Sequence, residues 1–250
     1  MASDVQVITI IIIVVTFAVS LIVRRRKPAP LRPISAYSVL PTLAGESIES
    51  SRPLHIGFGG ASLGDENTML ALVAAEAAYY AIQPATIGDI APILTTSETS
   101  TIPLAVDTLR RAYASRHMLA SYTSTNVRWY PAGPRALAYS GALTTLAGDD
   151  RINSHVLVGR YGVELSLVLA SAGRRGLTTI ATSSTLEGQA VAYAMADHAL
   201  IGDEIFGGAA YLSGSAHLAN RNLTIDLLRW ALIIAMLLLL AANLAQQYSA

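Results

Sequence analysis

Residues 54–66 read Leu54-His55-Ile56-Gly57-Phe58-Gly59-Gly60-Ala61-Ser62-Leu63-Gly64-Asp65-Glu66. A short apolar run closes in a cluster of glycines, two acids follow, and an alanine-rich stretch of helical length, 68–82, comes next. The change of period from strand to helix across a glycine turn predicts a βα unit, the building block of a parallel sheet.

The same rhythm recurs outward along the chain. Apolar runs at 93–96, 127–130, 155–158 and 177–181 are each followed by a helical stretch, at 101–113, 135–146, 163–172 and 186–196. Local punctuation agrees with the periodicity. Ser184 and Glu187 have capping-box spacing, Pro103 suits a first helical turn, and Gly176 follows Arg174 and Arg175 where a helix should stop. The expected fold class is α/β: a Rossmann-like parallel sheet of about five strands in a three-layer sandwich, its strand order left open.

Both ends of the chain are apolar, which raises the hydrophobic fraction to 52% against 14% charged residues. Residues 5–23 carry no charge and, as a helix, would cross roughly 28 Å. Arg24, Arg25, Arg26 and Lys27 follow at once, a block that the positive-inside rule keeps in the cytoplasm. Residues 227–245 are apolar except for Arg229, with Arg221 before them and nothing basic after. Two transmembrane helices flanking the α/β domain are therefore expected, in a two-pass plasma-membrane protein with both termini outside. The expected division is an anchor at 1–27, a proline-rich linker at 28–53, a cytoplasmic domain at 54–222, and a second transmembrane helix with a short tail at 223–250.

Composition excludes several chemistries. There is no cysteine, hence no disulfide, thiolate metal site or cysteine nucleophile. Lys27 is the only lysine, so the domain has no Walker-type lysine and no Schiff-base lysine. Basic and acidic residues balance at 17 each, which gives no global field for nucleic acid. The histidines show no H-E-x-x-H spacing, no metal site is expected, and the cofactor is left unknown.

Candidate ligand-binding residues gather at the carboxyl ends of the predicted strands, where α/β sheets hold ligands. They are Gly57, Gly59, Gly60, Ser62 and Asp65 in the first loop and Thr96, Ser97 and Glu98 after the second strand. Gly159, Gly162 and Glu164 follow the fourth strand, and Thr182 and Ser183 the fifth. The first loop departs from G-x-G-x-x-G at Ser62, and Asp65 and Glu66 at the helix entrance would repel a phosphate. An acidic cleft rich in hydroxyls suits hydroxyl-rich or cationic ligands better. Helix capping explains the same residue types equally well. His55 and His155 open two strands with matching glycine loops, the mark either of an internal duplication or of a recurring βα-turn solution.

The runs HIGFGGASLGDE from His55, LRRAYASR from Leu109, VGRYGVELSLVLASAGRRGL from Val158 and ADHALIGDEIFGGAAYLSGSAHLA from Ala196 together resemble a family of uncharacterised prokaryotic membrane proteins. That family is defined as a domain of unknown function between two spans. The resemblance covers the chain from Leu54 to the second apolar run, and it carries no activity, cofactor or catalytic residue with it. The expected function is a membrane-anchored module acting in self-assembly or in binding a small ligand or partner, without catalytic machinery. The nearly uncharged helix at 68–82 and the small residues from Gly207 to Ala216 are the candidate surfaces for a homo-oligomer. The alternative is an enzyme or ligand sensor using the acidic cleft, with Glu98 and Glu164 as its acid/base or metal-binding groups.

Overall fold

The structure is a computed structural model that describes residues 15, 17, 18, 32–149, 151–213, 226–234, 236 and 237. The chain divides into two units, Pro33–Leu212 and a second made of Met1–Arg32 with Ser213–Ala250. The first unit holds the α/β fold.

Its sheet is six-stranded and wholly parallel, in the order β3-β2-β1-β4-β5-β6. The strands are β1 (Leu54–Gly59), β2 (Ile93–Thr96), β3 (Val127–Trp129), β4 (Ser154–Arg160), β5 (Thr178–Ser183) and β6 (His198–Ala199). Five lie where the apolar runs predict them. The sixth escapes prediction because two residues carry no period, and it is defined by its pairing with Ile180 and Ala181.

The helices are α1 (Ser35–Ser50), α2 (Thr68–Ala85), α3 (Ile102–Ser115), α4 (Leu137–Asp149), α5 (Leu165–Arg174), α6 (Leu186–Met195) and the short α7 (Gly208–Ser213). Pro103 stands in the first turn of α3, and Gly176 takes a left-handed φ of +65° beyond α5, both as predicted. The cap of α6 is one residue later than expected. Thr185, not Ser184, accepts the Gly188 N–H at 3.0 Å.

The main departure is α1, which occupies most of the stretch expected to be a linker. Its Pro41 lies on the exposed side, while Ala36, Tyr37, Leu40, Leu43, Ala44 and Ser47 form a buried stripe of helical spacing. A proline inside a helix costs about 3 kcal/mol. Each fully buried leucine returns about 1.5–3 kcal/mol, so the stripe outweighs it. At the far end Ser51 adopts a left-handed φ of 50°, and its N–H and that of Arg52 close on the carbonyls of Ile48 and Ser47.

Strand alternation sorts the core into two layers. Leu54, Ile56, Phe58, Leu94, Val156 and Ile180 point into the layer formed by α1, α2 and α3. Leu157 and Ala181 point the other way, with Tyr139, Leu143, Tyr161, Leu165 and Leu169 from the α4–α5 side. The uncharged character of α2 is explained here: Leu70, Ala71, Ala74, Ala75, Ala77, Ala78, Ala81, Ile82 and Ala85 are all buried. Alanine lets neighbouring backbones approach, so this helix is central to the fold. In the small-residue stretch Gly208 lies against Tyr37, whose ring would be 3.3–3.5 Å from a Cβ there.

The apolar runs expected to span a membrane lie largely outside the described residues. Among the described residues no helix is long and apolar enough to cross one.

Candidate functional site

The strand order places β1 beside β4 at the centre of the sheet, where the direction of winding reverses. The crevice at the carboxyl ends of such a strand pair is the place where open α/β sheets hold ligands. Here the two glycine loops meet. The pairing of β1 with β4 shifts register between Gly57 and Gly59, and the Gly60 N–H donates to the Arg160 carbonyl at 2.9 Å.

Neighbouring strands close around this point. The Ser97 N–H and hydroxyl both donate to the Gly59 carbonyl, at 3.1 and 3.0 Å. The Tyr161 N–H donates to the Ser183 hydroxyl at 3.0 Å, and that hydroxyl donates to the Tyr161 carbonyl at 2.6 Å. The structure thus places Gly57, Gly59, Gly60, Ser97, Gly159, Gly162 and Ser183 around one crevice. Thr96 joins them, accepting the Glu98 N–H at 3.1 Å.

What fills the crevice is the protein itself. A Cβ on Gly57 would stand 2.6 Å from the Tyr161 hydroxyl, and one on Gly59, whose φ is +54°, 2.5 Å from the Arg160 carbonyl oxygen. A Cβ on Gly159 would overlap the Phe58 carbonyl. These glycines let two strands and the Tyr161 ring pack together, which is a different use from admitting a pyrophosphate.

The backbone donors tell the same story. A phosphate-binding loop offers free N–H groups. In this loop the Ala61 N–H is taken by Phe58, Leu63 by the Ser100 hydroxyl, Gly64 and Asp65 by Thr68 Oγ1, and Asn67 by Asp65 Oδ1 at 2.7 Å. The Ser62 hydroxyl closes on the other carboxylate oxygen of Asp65. That bond, and then the Asn67 N–H, hold the exposed Asp65 carboxyl below its ordinary value. Glu164 is likewise consumed locally, its buried carboxylate accepting the Gly162 N–H at 2.6 Å.

Two predicted residues stand apart. Thr182 lies on the opposite face of β5 from Ser183, paired with Val158, and its buried hydroxyl has no hydrogen-bond partner. Glu98 is half-buried after β2 with its carboxylate unengaged among the described residues, which makes it the available acid of the crevice. Trp129, at the end of β3, was not among the predicted residues. Its Nε1–H donates to the Ser97 carbonyl at 3.0 Å beside Glu98.

Sequence reasoning also missed a buried polar chain beneath the crevice. His55 and His155 are direct partners across β1 and β4, with their Nδ1 atoms 2.7 Å apart. His55 Nε2 reaches Thr95 Oγ1 at 2.9 Å, and Thr95 reaches the Tyr139 hydroxyl at 2.8 Å. All four residues are sealed from solvent. His155 Nε2 has no partner. The tautomers that strand only a lone pair put the proton of His155 on Nδ1, donating to His55, and that of His55 on Nε2, donating to Thr95. Burial, then the charge of Arg175, lowers the His155 pKa to about 3. Burial, then His155, holds His55 well below its ordinary value. The available signal was the placement of both histidines at the start of glycine-ended strands; only the sheet order makes them neighbours.

At the amino end of the sheet a cavity of about 530 Å³ opens among Arg52, Asp89, Asn126, Arg128 and Arg151. Among the described residues no group of three or more histidines and carboxylates is placed to hold a metal ion.

By its sequence the chain belongs to a family described as a domain of unknown function (DUF6754), whose profile matches residues 2–249. Comparison with curated proteins and with solved structures finds no match.

Proposed function

We propose that this chain is a membrane-anchored module whose α/β domain acts by binding a small ligand, a partner or a second copy of itself, without catalysis. One observation carries the reading: at the crevice where such a sheet would hold a nucleotide, Gly57 and Gly59 are packed against Tyr161, and the N–H groups of Gly60, Ala61, Leu63, Gly64, Asp65 and Asn67 are bonded within the protein. A site spent on its own architecture has little left for chemistry. The apolar runs at 5–23 and 227–245, with their basic flanks, support two spans in the plasma membrane with the domain on the cytoplasmic side.

Native mass spectrometry of the full chain from mild detergent tests this. A defined oligomer or a co-purified small mass is expected. A strict monomer carrying nothing at every accessible concentration refutes it.

A second reading, an enzyme or sensor in the crevice, is favoured by Glu98, whose carboxylate is unengaged among the described residues and which follows Ser97, the acceptor of the Trp129 Nε1–H. Glu164 is withdrawn from that role by its bond to Gly162. If this reading is correct, Glu98→Gln abolishes retention of a co-purified ligand while leaving the melting temperature in place.

A further inference from the structure

The amino edge of the sheet is built differently from the crevice. The cavity of about 530 Å³ lies there, among the connections that lead into β1, β2, β3 and β4. Arg52 stands in the turn from α1 to β1, Asp89 in the turn from α2 to β2, and Arg151 in the turn from α4 to β4. Asn126 comes directly before β3, and Arg128 is the middle residue of that strand. The topology thus brings three guanidiniums from separate parts of the chain to one cavity, wholly within the unit Pro33–Leu212. Among the described residues the lining sets one carboxylate, that of Asp89, against these three cations.

The polar groups here are unspent. Among the described residues the side chains of Arg52, Asp89, Asn126 and Arg151 make no hydrogen bond or ion pair. At the carboxyl crevice the loop donors are bonded within the protein, whereas each of these guanidiniums keeps its N–H groups for a ligand or water. Arg52 and Arg151 are exposed, so their long side chains can turn inward, while Arg128 is half-buried. A cavity of this volume is roughly 10 Å across, close to the Debye length of about 8–10 Å, so the cations act together on one ligand. The volume also falls within the range of small-molecule sites.

We propose that this cavity binds a soluble phosphorylated small molecule, with Arg52 and Arg151 holding its phosphate oxygens and Arg128 adding charge. The planar guanidinium fork matches two phosphate oxygens, and such charge-assisted bonds are roughly twice as strong as neutral ones. Asp89 and the Asn126 amide suit the rest of such a molecule, the first accepting from a hydroxyl and the second both donating and accepting. Ile90, exposed at the same cavity, offers an apolar wall. The inference deepens the small-ligand part of the proposed function, on which it rests, by giving that ligand a place and a chemical class.

Calorimetric titration of the full chain in an uncharged detergent, with pyrophosphate as the probe, tests this. One saturable site per chain is expected. Arg52→Gln/Arg151→Gln should weaken binding about ten-fold or more, with the melting temperature of the unliganded chain unchanged. Asp89→Asn should strengthen it by removing the opposing charge. The control Arg116→Gln/Arg174→Gln takes the same charge from exposed positions outside the cavity and should leave the affinity within about two-fold. No saturable binding, or equal loss in the two double variants, overturns the site. Pyrophosphate affinity that drops when phosphatidic acid is added to the micelle assigns the phosphate to a lipid headgroup and overturns a soluble ligand; unchanged affinity upholds it. A defined oligomer that binds no pyrophosphate overturns this site and leaves the proposed function standing. A monomer with no co-purified mass that binds as expected upholds the site and removes self-assembly from that function.

Discussion

Acid should unfold this protein through two buried histidines. His55 and His155 are held neutral in the fold, His155 with a pKa of about 3 and His55 well below its ordinary value. In the unfolded chain both titrate near pH 6.5. Below that pH the unfolded state binds protons that the native state refuses, so stability is complete above pH 6.5 and falls as pH drops. His155 contributes a loss of about 1.4 kcal/mol at pH 5.5 and about 2.7 kcal/mol at pH 4.5, and His55 adds a loss of the same sign. Against a typical domain's whole stability of about 5–15 kcal/mol, that is a large share. Urea unfolding of the full chain in detergent measures this, read by Trp129 fluorescence in a Trp230→Phe background. Between pH 6 and 5 the slope should exceed the roughly 1.4 kcal/mol per pH unit that His155 alone supplies, fall in His155→Gln, and nearly vanish in the double variant His55→Gln/His155→Gln. Only the slope is read, so a lower baseline stability in the variants does not confuse the result. Equal slopes in the parent and the double variant would refute the reasoning, as would an imidazole resonance of either histidine titrating near its ordinary value.

Other expectations follow from particular contacts. Gly159→Ala drives a methyl into the Phe58 carbonyl and should lower stability by about 1–3 kcal/mol or more. Gly173→Ala, in a helix with nothing within 4 Å, should raise it by about 0.5–1 kcal/mol; both are read from urea midpoints. Thr185→Ala removes the N-cap of α6 and should lower stability by about 1 kcal/mol, while the same change at Ser184 should do little. Tyr37→Phe loses the hydroxyl bonds to Glu204 and Ile205, worth about 1 kcal/mol, and should speed amide exchange across residues 202–212 well before the central strands respond.

The sequence by itself determined the βα rhythm, because a strand's apolar run, a glycine turn and a helix's period are each local signals readable within a dozen residues. Five strand positions, the helices after them, the stop at Gly176 and the gathering of Gly59, Gly159, Ser97 and Ser183 at one edge were legible on that ground. Tertiary structure decided the rest. The stripe in α1 was hidden by Pro41 and the small residues around it, and it became a helix only because Leu40 and Leu43 find a core to bury in. β6 exists because β5 offers it a partner. His55 and His155, separated by 100 residues, meet only through the order of the strands. The glycines that resemble a nucleotide loop give way to Tyr161, a packing choice that no spacing rule expresses. Nor could local pattern show that Tyr37 of α1 meets Glu204, Ile205 and Tyr211 at the far end of the fold, because the position of an end depends on how every intervening element is wound.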